Sequence, residues 1–231
     1  MPAPTLPGGR TIVFTDLDGS LLDHHSYSHA GAAPVLARIR EEGIPLIIVT
    51  SKTRAEVVEI QREFGNADPF IVENGGAAYF PRSGPYRFLA AGEEAAGYRR
   101  IGFGRSYGEI RDFLAAFKSE EKKREIIKGF GDMELEDIMA LTGLDAVRAV
   151  AATVKTLRGL AGGKITTVGV GDSDNDLTML AAVDIPVLIP HPHRGFPAGT
   201  PAGAVRATRP GSEGWNEAVG KALDGLTNTG R

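Results

Sequence analysis

The chain has 231 residues, 42% of them hydrophobic, with a formal net charge of -3 and no cysteine. Its length sustains one full-sized hydrophobic core with room for a smaller second unit, and the apolar fraction excludes disorder and collagen-like repeats. Lack of cysteine removes disulfides, thiolate zinc sites and cysteine nucleophiles, while the slightly negative balance offers no basic field for nucleic acid or an anionic membrane. The opening MPAPTLPGGR carries proline and glycine where a signal peptide needs an apolar centre. No stretch approaches the roughly 18 apolar residues of a membrane span. The expected protein is cytoplasmic, with a small-molecule partner and neither nucleic acid nor membrane among its ligands.

Apolar runs of strand length recur along the chain, beginning with TIVFTD (11–16). AAPVLARIREEG then places Val35, Leu36 and Ile39 at helical spacing, with Gly43 as the stop. PLIIVTS (45–51) reads as the second strand, TRAEVVEIQREFG sets Val57, Ile60 and Phe64 on one helical stripe ahead of Gly65, and FIVEN (70–74) is the third strand. The texture changes over 83–146. Here the pattern predicts a short strand near Arg99 to Phe103, a helix through Tyr107, Ile110, Leu114 and Phe117, a strand at Ile126 and Ile127, and a helix from Glu134 to Leu141. SEEKKRE (119–125) reads as a solvated helix end or turn. Alternation resumes with the helix in LTGLDAVRAVAATVKTLRG and the strands TTVGVGD (166–172) and PVLIP (186–190), and the tail GLTNTGR is expected to fray. Strands rich in Val and Ile that alternate with amphipathic helices predict an α/β fold with a doubly wound parallel sheet. Residues 1–82 and 147–231 form this Rossmann-like core, and 83–146 form an insertion.

In an open parallel sheet, ligands bind beyond the carboxyl ends of the strands. The polar residues ending these strands are Asp16 with Asp18, Thr50 with Ser51, Glu73 with Asn74, and Asp172 with Asp174 and Asp176. One aspartate at such a place is commonly a turn former or helix cap, but two separate acidic clusters at one edge ask for another reason. Carboxylates about 4 Å apart repel by about 4 kcal/mol at an effective dielectric of about 20, so the cluster needs a proton or a cation. Oxygen donors of this kind suit Mg²⁺, which takes few protein carboxylates and completes its shell with water and substrate phosphate. The histidines His24, His25, His29, His191 and His193 match no strong zinc spacing and read as loop residues.

Three of these segments carry a family resemblance. Asp16-Leu17-Asp18-Gly19-Ser20 after a strand, Thr50 closing the second strand, and Gly171-Asp172-Ser173-Asp174-Asn175-Asp176 after a late strand resemble motifs I, II and IV of the haloacid dehalogenase superfamily. Within it, VTSKTRAEV, FIVENGGA, GFGDM and GDSDNDLTML resemble the mannosyl-3-phosphoglycerate phosphatase family. The resemblance implies a Mg²⁺-dependent phosphomonoester hydrolase that works through an aspartyl phosphate on mannosyl-3-phosphoglycerate; another sugar or small-acid phosphatase is the alternative. It implies Asp16 as nucleophile, Asp18 as acid/base and Thr50 as a phosphoryl ligand, with Mg²⁺ held by Asp16, the Asp18 carbonyl and Asp172, and Asp176 in support. Ser51, Lys52, Arg54, Asn74 and Gly75 are candidate substrate-binding residues at the same edge. Thr50 equally suits a cap of the next helix, Lys52 and Arg54 a solvated helix start, and Asn74-Gly75-Gly76 a plain turn. Phe130 to Met133 is the candidate loop of the cap that faces substrate, and simple cap packing is its alternative.

One departure from the superfamily pattern stands out. A lysine, usually followed by glycine, opens the helix before motif IV and neutralises the nucleophile and phosphate; LTGLDAVRAVAATVKTLRG has no such pair. Arg148 lies near the expected slot, Lys155 sits roughly 10 Å further along the helix, and Lys52 is the rival donor. The chain also passes from Leu144 almost directly into this helix, so the α/β cap is expected to be shortened. Two non-enzymatic readings compete: a receiver-type phosphoacceptor module, disfavoured by the acidic pair after the first strand, and a relative that binds the phosphorylated ligand without turning it over.

Overall fold

The computed structural model describes residues 11–89, 91–105, 109, 112, 146–161 and 164–228. In chain order the elements are β1 (Thr11–Thr15), α1 (Ala33–Glu41), β2 (Leu46–Val49), α2 (Arg54–Glu63), β3 (Phe70–Val72), β4 (Ala77–Pro81), β5 (Glu93–Ala95) and β6 (Tyr98–Gly102). After them come α3 (Ala146–Ala161), β7 (Thr166–Gly171), α4 (Leu177–Ala181), β8 (Ile185–Leu188), β9 (Val205–Arg206) and α5 (Gly211–Asn228). Among the described residues, the nine strands join one sheet in the order β5-β6-β4-β3-β2-β1-β7-β8-β9.

The five strands expected from the apolar runs are β1, β2, β3, β7 and β8, and they pair in parallel, with Phe14 opposite both Ile47 and Gly169. Alternation along β1 sorts the core into two layers. Val13 faces one side with Ile48, Val170, the α1 residues Val35, Leu36 and Ile39, Val57 of α2, and Trp215, Val219 and Leu223 of α5. Ile12 and Phe14 face the other with Ile47, Val150, Val154 and Leu157 of α3 and Leu180 of α4. Both faces are covered by helices, as a doubly wound sheet requires.

Three features differ from the sequence reading. Beyond β3 the sheet continues in antiparallel fashion through β4, β6 and β5, so residues 93–102, expected to belong to an insertion, extend the core sheet. The run AAYFP that forms β4 was not anticipated, because it follows β3 after a turn of only four residues, 73–76, with no α-helix between them. Helix α5 was also unanticipated, and it continues through Gly225 to Asn228, where a frayed tail was expected. Apolar packing of Trp215, Ala218, Val219, Ala222 and Leu223 against the sheet holds it. The predicted elements between 106 and 145, including Phe130 to Met133, lie outside the described residues apart from isolated helical positions at Glu109 and Asp112. Among the described residues no helix is long and apolar enough to cross a membrane.

Candidate active site

The strand order alone creates the site. From β1 the chain moves outward through β2 and β3 and returns as β7 on the other flank of β1, so the carboxyl ends of β1 and β7 open a crevice between the loops that leave them. Asp16 follows β1, Asp172 follows β7, and the Asp16 amide donates to the Val170 carbonyl at 2.9 Å. A cavity of about 370 Å³ opens here, lined by Asp16, Asp18, Thr50, Ser51, Asn74, Asp172 and Asp176 among others. Of the sequence candidates, Lys52, Arg54, Gly75 and Arg148 are not among its lining residues, although Lys52 reaches Asp18 at its rim, and Arg148 is solvent-exposed.

Each acid is fixed by local chemistry. Leu17 and Leu21 are fully buried beneath the turn after β1, and the Gly19 amide donates to Leu22 O at 2.9 Å. Gly19 has φ +84, and a Cβ there would stand 2.4 Å from His24 Nε2 and 2.5 Å from Asp172 Oδ2. Only glycine fits that crossing. On the other side Asp176 Oδ2 accepts from the Asp172 amide (3.0 Å), the Ser173 amide (3.0 Å) and Ser173 Oγ (2.9 Å), a capping box that folds the 172–176 turn back on itself.

Asp16, Asp172 and Asp176 each offer an oxygen within 4.8 Å of the others. Burial, then the Asp176, Asp172 and Asp18 charges, push the Asp16 carboxyl well up. Burial also raises Asp172, against the pull of His24, and lifts Asp176 to about 6 against its hydrogen bonds to Ser173. Three carboxyls that resist ionisation together, with Asp18 Oδ1 buried and without a hydrogen-bond partner, fit a hard divalent cation. Four of the histidines draw together, with His24 and His191 ring centroids 4.6 Å apart and His193 6.0 Å from His191, but they form no group of three converging ligand atoms among the described residues. His29 lies against Phe64, ring centroids 5.4 Å apart and tilted, away from the cavity that His24 and His191 line, and among the described residues the acidic trio is the group of three ligands brought together.

This electrostatic load has a consequence for the metal-free protein. A carboxyl whose folded pKa lies above its unfolded value binds its proton more tightly when folded, so stability falls as pH rises from the unfolded toward the folded value. With Asp176 at about 6, EDTA-treated protein is expected to lose about 1 kcal/mol between about pH 5 and about pH 7.5, with Asp16 adding in the same direction. Thermal unfolding at both pH values, with and without Mg²⁺, checks this; a metal-free protein no less stable at the higher pH would contradict it.

Basic and neutral groups complete the cleft. Lys52 Nζ donates to Asp18 Oδ2 at 2.5 Å, and the pair is only partly exposed. Lys52 therefore sits at the acidic cluster, while Arg148 and Lys155 present exposed positions on α3. Thr50 is buried, and its Oγ1 accepts the Lys52 amide at 3.2 Å. Capping of α2 belongs to Thr53 with Glu56, which removes the helix-cap alternative for Thr50. Asn74 reaches the cavity from a left-handed turn, φ +51, whose amide donates to Thr50 O at 3.2 Å. The preceding Glu73 is also left-handed and donates its amide to Lys52 O. The turn is thus stitched to the loop carrying Thr50 and Lys52, and Gly75 shapes it without lining the cavity.

Sequence reasoning missed His24, His191, Arg194 and Phe196 as lining residues. His24 Nε2 lies 3.1 Å from Asp172 Oδ2, and its neighbour Asp23 is held by α5, whose Ser212 amide and hydroxyl each reach the Asp23 carboxylate at 3.2 Å. The long separation of these partners left no local signal.

A family profile described as haloacid dehalogenase-like hydrolase matches residues 13–86. A protein of Persephonella marina, named glucosyl-3-phosphoglycerate/mannosyl-3-phosphoglycerate phosphatase, is 40% identical over 267 residues, covering 92% of this chain and 97% of the relative. The chain belongs to the haloacid dehalogenase-like hydrolases. Among these hydrolases a Methanococcoides burtonii protein of the same name is 33% identical, covering 91% of this chain and 96% of its own. The chain thus stands with haloacid dehalogenase-like phosphatases. Both matched stretches exceed 231 residues, so these relatives carry residues that this chain lacks. The fold agrees: a Thermoplasma acidophilum structure superposes with a TM-score of 0.59 at 14% identity, covering 94% of this chain and 98% of its own. A haloacid dehalogenase-like hydrolase from Bacteroides thetaiotaomicron follows at 0.58 and 13%, covering 94% and 99%.

Proposed function

We propose that this chain is a Mg²⁺-dependent phosphatase that hydrolyses mannosyl-3-phosphoglycerate or its glucosyl counterpart. The observation that carries the reading is the meeting of Asp16, Asp18, Asp172 and Asp176 in one cavity with Lys52 on Asp18. The relatives' names supply the substrate class. The Asp16, Asp172 and Asp176 carboxylates, with the Asp18 carbonyl, would hold Mg²⁺. Bound there, the cation screens the phosphate so that an anionic nucleophile can approach.

The chain's own residues do the rest. An Asp16 oxygen attacks phosphorus, the bond to the ester oxygen breaks, and the departing alkoxide takes a proton from Asp18, leaving an aspartyl phosphate. Water then attacks that phosphorus, Asp18 takes a proton from it, and Asp16 is released with inorganic phosphate. In the free protein the Lys52 ammonium sits on the carboxylate that must deliver the first proton. Substrate binding therefore has to draw Lys52 off Asp18 onto phosphoryl oxygens, where it takes over the charge neutralisation that the superfamily's missing lysine performs. Thr50, freed from capping, hydrogen-bonds a third oxygen. Residues 83–146 are proposed as a shortened cap, with 93–102 anchoring it to the sheet.

Phosphate release from mannosyl-3-phosphoglycerate tests the reading directly. Activity is expected with Mg²⁺, none after EDTA, and recovery when Mg²⁺ is restored; Asp172→Ala is expected to weaken Mg²⁺ binding sharply, because one of three carboxylate ligands is gone. Full turnover after exhaustive chelation would rule the metal role out. No release from any sugar or glycerate phosphate, with Mg²⁺ still bound, would leave a phospho-ligand-binding relative.

A further inference from the structure

The Lys52 side of the cleft accounts for one anion, but a second basic group faces the same cavity from the far flank. After β8 the segment His191–Gly195 closes a tight turn: the His191 amide donates to Gly195 O at 2.9 Å and the Gly195 amide donates back at 3.0 Å. Inside it His191 Nδ1 lies 3.1 Å from the His193 amide and 3.3 Å from the Arg194 amide, accepting from both. In a neutral imidazole whose Nδ1 accepts, Nε2 carries the proton. The His191 ring is further fixed by the His24 ring, 4.6 Å away between centroids. Phe196 beside it is covered by the Arg206 guanidinium at 5.0 Å. The turn is therefore built and braced before any ligand arrives.

His191 and Arg194 both line the cavity that holds Asp16 and Asp172. Among the described residues no carboxylate stands at ion-pair distance from Arg194. Lys52 follows β2, and Arg194 follows β8, with β1 and β7 between them. Three strand intervals span roughly 14 Å, too far for both cations to share one phosphate at their roots and suited to a ligand with two separated anionic groups. A plain sugar phosphate leaves the Arg194 side without a counter-charge.

We infer that the His191–Gly195 turn is a second anion subsite, in which the Arg194 guanidinium and His191 Nε2–H bind the carboxylate of a glycerate-type phosphate ester. The inference rests on the phosphatase reading for the position of the phosphate, and it names the part of the substrate that sets specificity. Arg is the suitable cation, since its planar fork matches a carboxylate with two parallel hydrogen bonds.

The test compares mannosyl-3-phosphoglycerate with its carboxyl methyl ester in the wild type, Arg194→Gln, His191→Asn and His191→Ala. Esterification is expected to raise the wild-type KM by about tenfold to a hundredfold, and Arg194→Gln to raise KM for the free acid by a similar factor. The penalty for esterification should then shrink towards none in Arg194→Gln, because the group it removes has already lost its partner. His191→Asn keeps an acceptor near the Nδ1 position and loses the outward donor, so it is expected to reduce the same penalty, whereas a purely structural role would spare Asn and harm only Ala. An esterification penalty equal in wild type and Arg194→Gln overturns the inference while leaving the phosphatase reading intact. If the wild type releases no phosphate at all, that reading fails, and calorimetry of 3-phosphoglycerate against glycerol 3-phosphate with Mg²⁺ decides the subsite: Arg194→Gln must weaken the first more than the second, or the inference is wrong.

Discussion

Asp16→Asn is expected to cut phosphate release by at least ~10⁴-fold, since an amide cannot form the acyl phosphate and Asp18, the other carboxylate at the β1 end, is held by Lys52 and serves the proton transfer. The same change is expected to raise the stability of the metal-free protein near neutral pH. Burial and three neighbouring carboxylates hold the Asp16 carboxyl well above its ordinary range, so the folded protein ionises it at a cost that asparagine does not incur. Asparagine is nearly isosteric, and the Asp16 amide bond to Val170 O is a main-chain contact that survives the substitution. The companion Asp18→Asn is expected to stop turnover as well, yet to leave a phosphoenzyme that can be trapped. Phosphate release assays and thermal unfolding in EDTA measure both halves. Near-normal turnover in Asp16→Asn would end the covalent mechanism, and lost activity with lost stability would point to misfolding instead.

Lys52→Ala is expected to lower kcat by about 10²- to 10³-fold, the scale on which one preorganised charge at a developing transition state is felt. Arg148→Ala and Lys155→Ala are expected to stay within a few-fold of wild type. The reason is positional: Lys52 Nζ is bonded to Asp18 Oδ2, a lining residue of the cavity, whereas Arg148 and Lys155 occupy exposed positions on α3. As a partly exposed ion pair, Lys52 with Asp18 contributes only about 1 kcal/mol to stability, so the variant should fold and the loss should lie in catalysis. Measuring kcat for the three alanine variants at saturating Mg²⁺ separates the candidates. A large loss in Arg148→Ala alone would return the role to α3, and an unchanged Lys52→Ala would leave the acidic cluster without its proposed counter-charge.

Short-range patterns in the chain determined the parallel core and the acids at its edge. TIVFTD, PLIIVTS and TTVGVGD become β1, β2 and β7 because four or five consecutive β-branched or apolar residues are buried on both faces, and such runs are visible without knowing their neighbours. Asp16, Asp18, Asp172 and Asp176 were legible for the same reason. A strand's end fixes where the next few residues stand, and glycine at 19 and 171 marks where the chain must turn tightly around them. Residues whose meaning depends on distant partners were not legible. His24 meets Asp172 across 148 positions, and Ser212 holds Asp23 across 189. Lys52 could be set on Asp18 only by the adjacency of β1 and β2, and Arg194 could reach the cavity only because β8 lies beside β7. Thr50 and Thr53 are equally good caps by type, and the choice of Thr53 was made by the backbone angle at which α2 leaves the sheet. Local sequence encodes the conformation of a segment, while the order in which strands assemble decides which charges meet, and at this crevice that order decided which cations face the acids.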